Sequence, residues 1–458
     1  MKATSPGSLP WQRAGLLLLA GDVGVLAGLY SVAHYLRLQF WPDLFSIPFG
    51  VVLVALVLTL YIVDVYRIEI PVSKSRLPIT TAFGSILSIF VSAMFVYFMG
   101  PLQFDSIFGR GVMPVAMIMF SIWGAWSRYA LSKWAESRQG ENRWLFIGDT
   151  ENLAAFMSDF EIPAREMMIL ADPQSGVAPE YAELVKGEPS QLSSLNTDGV
   201  TNTVIATEHE FSDKDISVLM KLRASGASVH NLTAIYEEYQ SKVPILHLKH
   251  GWFINSSGFY LLQNATGLKI KRLLDLLFSV LLLVLTLPLT LLVALLIKID
   301  SPGPVFYAQS RYGLNSRQFQ VLKFRSMIAD AEKDGARWAE TDDPRITRVG
   351  RIIRKMRIDE IPQLWNVMKG DMSFIGPRPE RPEFISMLEK EIPFYELRHL
   401  IKPGITGWAQ VMYPYGSSIE DAIQKLQYDL YYIKNYTVLL DFVILMKTLR
   451  IIIWQKGR

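Results

Sequence analysis

Apolar residues along this chain are bunched, and the bunches differ in length. Four long apolar stretches fill the first third, approximately Ala14–Leu36, Phe45–Val65, Ile79–Met99 and Val112–Leu131. Each approaches the ~20 residues that a helix needs to cross a bilayer. Another, Leu273–Ile297, is 25 residues long and stands in the second half. Residues 141–250 behave differently. Short apolar runs at Trp144–Ile147, Met167–Leu170 and Val204–Ala206 alternate with helix-like segments at Leu153–Phe160 and Ile216–Leu222, and Ser228-Val229 leads to a further break. That alternation predicts an open βα sheet. A last run, Val438–Trp454, carries Asp441, Lys447 and Arg450. It is short and charged for a span, which predicts an amphipathic helix lying at the membrane surface.

Basic residues orient the apolar stretches. Lys2 and Arg13 precede the first, Arg67, Lys74 and Arg76 lie between the second and third, and Arg128, Lys133, Arg138 and Arg143 follow the fourth. The alternate loops carry Arg37 and Arg110 alone. The N-terminus and everything after the fourth stretch are therefore expected in the cytoplasm. No small-residue cleavage site follows the first stretch, so it is not read as a removable signal peptide. Asp22 lies inside that stretch, where it serves either a function or a helix-packing hydrogen bond. The Leu273–Ile297 run has Lys269, Lys271 and Arg272 before it and Lys298, Arg311 and Arg317 after it. Basic residues at both ends favour one and the same face. Pro288, past its middle, favours a kink. A re-entrant helix that bends at Pro288 and returns satisfies both observations.

Composition narrows the class. Half of the 458 residues are hydrophobic and 19% are charged, against about 25% in ordinary soluble domains. A disordered chain is excluded and a membrane protein is favoured. Lys and Arg outnumber Asp and Glu by 46 to 43, too even a balance for a dedicated nucleic-acid binder. There is no cysteine, so a disulfide scaffold, a thiolate zinc site and a cysteine nucleophile are excluded. The six histidines form no metal-ligand pattern.

Polar chemistry concentrates in residues 298–415, which Gly and Pro punctuate densely. Arg345, Arg348, Arg351 and Arg354 recur every three residues, with Lys355 and Arg357 beside them. On a helix that spacing makes a guanidinium stripe, suited to substrate phosphates or to anionic headgroups. Asp359-Glu360 follows, just ahead of a short helical stretch at Gln363–Met368. A carboxylate there can attack phosphorus, and two can hold Mg²⁺; the plain alternative is a helix-capping pair. A second basic loop, Gly376-Pro377-Arg378-Pro379, favours phosphate chemistry.

Five segments in order then resemble the bacterial sugar transferases that make polyprenyl-diphosphate-linked sugars. They are Lys323-Phe324-Arg325-Ser326-Met327, Asp343-Pro344-Arg345-Ile346-Thr347, Arg354 to Asn366, Lys369-Gly370-Asp371-Met372-Ser373 with Gly376-Pro377-Arg378-Pro379, and Lys402-Pro403-Gly404-Ile405-Thr406-Gly407. The resemblance covers residues 265–458. With four spans and a Rossmann-like middle, the whole chain resembles the large monotopic phosphoglycosyl transferases. It implies a membrane protein of α plus α/β class. The four-helix transmembrane domain is 1–135 and the Rossmann-like cytoplasmic domain, without a dinucleotide glycine motif, is 136–264. The mainly helical catalytic domain is 265–458, with a proline-broken re-entrant helix at 270–298 and interfacial C-terminal helices.

The activity implied is transfer of a sugar 1-phosphate from a UDP-sugar to polyprenyl (undecaprenyl) phosphate, with release of UMP, at the start of exopolysaccharide, capsule or O-antigen synthesis. Carried over, Asp359 is the nucleophile and Glu360 its partner in placing Mg²⁺. Lys323, Arg325, Arg354 and Arg378 match phosphate-contacting positions. A homodimer at the cytoplasmic face of the bacterial inner membrane is implied as well. Members often have serine before the helix-breaking proline; here Leu287 precedes Pro288, and Thr286 is the nearest hydroxyl. Two rival readings remain. A nucleotide-sugar dehydratase or epimerase needs a glycine-rich loop, absent after Trp144–Ile147, and a Tyr-x-x-x-Lys pair, which only Tyr129 and Lys133 supply, at the end of a span. A non-catalytic assembly scaffold would have no use for the acidic pair. Which sugar is transferred is not legible.

Overall fold

A computed structural model describes residues 11–44, 47–62, 84, 87, 112–138, 143–148, 150–160, 162–171, 179–207, 209–248, 258–259, 262, 264–328, 331, 343–414, 416 and 418–454. The chain forms two compact units, Met1–Gln240 and Ser241–Arg458. The described fold is mostly helical, with a five-stranded parallel sheet in the first unit.

In the first unit, the first, second and fourth apolar stretches are helical: α1 (Trp11–Leu38), α2 (Ile47–Ile62) and α3 (Val112–Arg138). The third, Ile79–Met99, lies outside the described residues apart from two isolated positions. Among the described residues, two helices are long and apolar enough to cross a membrane by length and composition. They are α1, over Leu18–Leu38, and the long helix of the second unit. Helices α1 and α3 pack closely, and Asp22 explains part of that. Both of its oxygens accept from the Arg128 guanidinium, at 2.9 and 2.5 Å, and both side chains are buried. A two-pronged pair of this kind removes two bare charges from an apolar setting at once. Asp22 is thus a helix-packing residue.

The sheet follows the expected alternation. Strands β1 (Trp144–Gly148), β2 (Met167–Ala171), β3 (Val185–Gly187), β4 (Asn202–Ala206) and β5 (Ser228–Asn231) pair in parallel, in the order β3-β2-β1-β4-β5. Central β1 is buried along its whole length, as a parallel strand covered on both faces must be. Helices α4 (Thr150–Phe160) and α5 (Asp213–Ala224) are two of its crossovers, and the Ser212 hydroxyl and Asp215 carboxylate cap the start of α5 reciprocally. The single glycine after β1 has a packing role. A side chain on Gly148 would lie 2.7 Å from the Ala206 carbonyl oxygen of the neighbouring strand.

The second unit begins at Ser241, ahead of the Ala265 start read from the sequence. The Trp408 indole donates to the Ser241 carbonyl, the Val243 amide to Gln427 and the Phe259 amide to Lys434. These bonds tie the incoming segment to the catalytic core. Next comes α6 (Ala265–Asp300), a single helix with Pro288 inside it. Pro288 removes one backbone bond, and the chain is helical on both sides of it. The Thr286 hydroxyl donates to the Leu282 carbonyl at 2.7 Å, the back-bonding that bends helices.

Both ends of α6 are tied to this one unit. At its start, Lys271 meets Asp441 at 2.8 Å and the Tyr432 hydroxyl, and Asp275 accepts from Ser373 and the Phe374 amide. Arg272 donates to the carbonyls of Val367 and Met368. At its end, Val293 and Ile297 pack with Phe324 and Ile353, and Asp300 accepts from the Val349 amide. Between the two ends its leucines are largely exposed.

The rest of the unit is a hairpin, β6 (Phe306–Tyr312) and β7 (Gln318–Phe324), a two-stranded parallel pair, β8 (Ser373–Ile375) and β9 (Gly404–Thr406), and short helices. These helices are α7 (Arg348–Lys355), α8 (Gln363–Lys369), α9 (Pro382–Glu391), α10 (Trp408–Met412), α11 (Ile419–Lys434) and α12 (Val438–Trp454). Helix α12 buries Ile444 and Met446 in the core and leaves Leu439, Phe442, Leu449 and Ile452 exposed.

Candidate active site

The acidic pair sits on a turn made by three local devices. Thr347 caps α7 through the Gly350 amide. A side chain on Gly350 would meet the Ser326 carbonyl at 2.0 Å, so this glycine lets α7 press on the segment after β7. The helix then ends in Arg357, a non-glycine residue held left-handed at φ 57°. That conformation costs roughly 1 kcal/mol or more, and strain of this kind collects at functional sites. It turns the chain so that Ile358–Glu360 forms one tight turn directly ahead of α8.

Glu360 is buried and carries three cations on one oxygen. The Arg378 guanidinium donates to Oε1 at 2.9 Å, and Lys323 Nζ and Arg357 Nη1 each lie 3.9 Å from it. Burial opposes its charge, but Arg378, Lys323 and Arg357 outweigh burial and hold the carboxyl below its ordinary range. Its neighbour goes the other way. Burial, and then the charge of Glu360, push the Asp359 carboxyl up, with Lys323, Arg354 and Arg378 pulling back. Two adjacent carboxyls thus differ in character: one is locked into an ion cluster, and the other has its charge disfavoured by burial and by its neighbour. Lys323 is pushed down to about 8, first by burial, with Glu360 resisting.

Lys323 comes from β7, and the neighbouring helix fixes that strand. The Asn366 carboxamide accepts from the Leu322 amide at 2.9 Å and donates to the Gln320 carbonyl at 2.7 Å, acting as a strand partner along the edge of β7. Arg378 comes from the loop after β8. That loop leans on the turn after β9 at backbone distance: side chains on Gly376 and Gly407 would lie 2.4 Å from the Lys402 carbonyl and 2.1 Å from the Gly376 carbonyl. Gly407→Ala is therefore expected to cost about 2–3 kcal/mol, as overpacking against unyielding backbone does. A thermal melt of the variant in detergent checks it, and an unchanged midpoint refutes it.

The structure brings Lys323 and Arg378 together at Glu360, adds Arg357, and sets Arg354 near enough to act on the charge of Asp359. Arg325 departs from that group. It is buried, and its guanidinium donates to the Ser301 carbonyl and hydroxyl and to the Pro302 carbonyl, at 2.7 to 2.9 Å. It fastens the chain after α6, where the sequence pairs it with Lys323 as a phosphate contact. Arg345 likewise leaves the stripe. It precedes α7 and is bonded through Nη2 and Nε to Asp343, whose carboxyl it holds down to about 2. Sequence reasoning missed Asn366 and Arg398, because the partners that matter are 20 to 46 residues away.

His399 lies behind the site, with Nδ1 3.1 Å from the Ser316 hydroxyl. Burial, and then Arg398, hold its imidazole down to about 4, against an ordinary value near 6.5. The unfolded chain therefore binds a proton between those values that the folded chain refuses. Stability is full above about pH 6.5 and falls as the pH drops toward 4, by roughly 3 kcal/mol in total. Melts at pH 5 and 7.5 should show this loss, and His399→Gln should flatten it.

The site is thus a half-sequestered carboxylate among lysine and arginine side chains, in a unit that also carries a long apolar helix. Comparison with known proteins gives the family. Residues 266–455 match the family model described as bacterial sugar transferase. The chain is 46% identical over 229 residues to a UDP-N-acetylgalactosamine-undecaprenyl-phosphate N-acetylgalactosaminephosphotransferase of Aeromonas hydrophila, covering 50% of this chain and 53% of that protein. It is 41% identical over 214 residues to an undecaprenyl-phosphate glucose phosphotransferase of Komagataeibacter xylinus, covering 44% and 40%. With the sugar transferase EpsL of Bacillus subtilis it shares 37% over 188 residues, 41% of this chain and 89% of that shorter protein. The chain belongs to the bacterial sugar transferase family. The matched part spans only about half of the Aeromonas relative, at 53% of its length.

Proposed function

We propose that this protein transfers a sugar 1-phosphate from a UDP-sugar to undecaprenyl phosphate at the cytoplasmic face of the inner membrane. The observation that carries the reading is the Asp359-Glu360 turn, with Glu360 bound by Arg378 and flanked by Lys323 and Arg357. Relatives named for this type of transfer support it. The Asp359 carboxylate attacks the phosphorus bearing the sugar. An O–P bond forms, the bond to UMP breaks, and UMP leaves with that electron pair. A phosphate oxygen of the polyprenyl acceptor then attacks the same phosphorus and releases the Asp359 carboxylate. Lys323, Arg354 and Arg378 hold the diphosphate oxygens and stabilise charge as it shifts. Such a mechanism predicts ping-pong kinetics.

Among the described residues no three His, Asp or Glu side chains gather as a metal cage. A Mg²⁺ site does not require one, because this ion uses one or two carboxylates together with substrate phosphates. Asp359 and Glu360 fit that donor set and would hold it, and the ion would neutralise diphosphate charge. Chelation with EDTA is expected to stop turnover, and added Mg²⁺ to restore it. Full activity after chelation removes the metal from the scheme.

The ties at both ends of α6 support a re-entrant placement, since ends bound to one compact unit belong on one side of a bilayer. The exposed leucines between them fit lipid. The cysteine-free chain makes the test clean. Cysteines placed singly at Lys269 and Lys298 should both react with a membrane-impermeant maleimide from the cytoplasmic side only, and opposite-side labelling of either one refutes the placement. Membranes given labelled UDP-sugars decide the function. Lipid-linked label with UMP release supports the transferase, a modified free nucleotide-sugar supports a dehydratase or epimerase, and neither product supports a scaffold. A panel of sugars in the same assay identifies the donor.

A further inference from the structure

The loop that delivers Arg378 is pinned at every carbonyl from Pro377 to Glu380. The Gly404 amide donates to the Pro377 carbonyl at 2.8 Å, Arg398 Nη2 to the Arg378 carbonyl at 3.0 Å, Arg311 Nη1 to the Pro379 carbonyl at 3.1 Å, and the Tyr312 amide to the Glu380 carbonyl at 3.1 Å. Two of these four donors are backbone amides, which any sequence supplies. Arg398 and Arg311 are side chains, and Arg398 is the more buried, at 5% exposure. Its Nη2 also donates to Asp429 Oδ2 at 2.9 Å, its Nη1 bonds the Tyr395 hydroxyl, and its guanidinium carbon lies 5.0 Å from the centre of the Tyr395 ring. A guanidinium satisfies this arrangement because its donors lie in a rigid plane, whereas an ammonium offers one point.

We propose that Arg398, anchored by Asp429, is a positioning residue for the transfer reaction. It fixes the main chain of Arg378, and through it the guanidinium that meets Glu360 at 2.9 Å. Its bonds run to the Arg378 carbonyl, Asp429 and Tyr395, so it reaches Glu360 through Arg378. Helix α11, which carries Asp429, is thereby wired to the acidic pair. This rests on the proposed function, since it takes Arg378 as a substrate-phosphate contact.

The test is a double-mutant cycle on UMP release, with KM for the UDP-sugar and the melting temperature measured on each variant. Arg398→Lys keeps a buried cation but can serve only one of the two oxygens. It is expected to lower kcat/KM by 10- to 100-fold, mostly in kcat if it disturbs the transition-state geometry that Arg378 supplies. In an Arg378→Gln background the same change should cost less than threefold further. Losses that multiply in the double variant, as for a merely structural residue, overturn the proposal, and so does wild-type kcat/KM in Arg398→Lys. Should Arg398→Lys not accumulate folded, Asp429→Asn enters the same cycle with the same expectations. Wild-type turnover in Arg378→Gln alone would overturn the underlying reading of the site. An inactive Arg378→Gln with multiplicative losses would overturn only the role of Arg398.

Discussion

Asp359→Asn is expected to lower both UMP release and lipid-linked product by at least about 1,000-fold, as loss of a covalent nucleophile does. The substitution removes one charge and keeps the shape. Stability should not suffer. In the native protein, burial and the charge of Glu360 disfavour the ionised carboxyl, and a neutral amide escapes both. A melting temperature equal to or above wild type, together with lost turnover, is the expected pair of results. Substantial activity in detergent with Mg²⁺ would take Asp359 out of the nucleophile role. A large fall in the melting temperature would mean that the carboxylate holds the fold together.

The largest effect on stability is expected at the start of α6. Lys271 and Asp441 form a buried pair at 2.8 Å, with the Tyr432 hydroxyl bonded to both. Removing one partner leaves the other charge stranded, at a cost of about 3–5 kcal/mol. Lys271→Met should therefore unfold the catalytic unit at markedly lower temperature. Restoring neutrality with Asp441→Leu in the same chain should recover most of the loss, because apolar replacement of a whole buried pair is often near neutral. If the double variant is no better than Lys271→Met, the pair is not the cause.

Much of this was legible in the sequence, for reasons that differ by element. The sheet was readable because β1 and β2 are apolar runs and β4 ends in one, Val204-Ile205-Ala206; β3, only Val185-Lys186-Gly187, carries no such signal. The acidic pair and Lys323, Arg354 and Arg378 sit in the ordered motifs that carry the family resemblance, and it was the resemblance that gathered them. Arg325 and Arg345 sit in the same motifs, yet the fold turns one onto Ser301 and Pro302 and the other onto Asp343. A motif names which residues matter, and only the backbone around them says which way each side chain is used. Asn366 and Arg398 act through distant main-chain atoms, a relation with no sequence period. The bonds of the segment after Ser241 to Trp408, Gln427 and Lys434 are of the same kind and leave no local sequence pattern.

The ties at the start of α6 also set an order of events during synthesis. Lys271 leaves the ribosome 170 residues ahead of Asp441. At about 5–20 residues per second that is roughly 10–30 s. Throughout that interval a very apolar helix is already made while the ammonium near its start still lacks its carboxylate. The helix therefore precedes the unit that finally grips it. Closure of the catalytic unit is then a late event, completed when α12 arrives to supply the missing carboxylate.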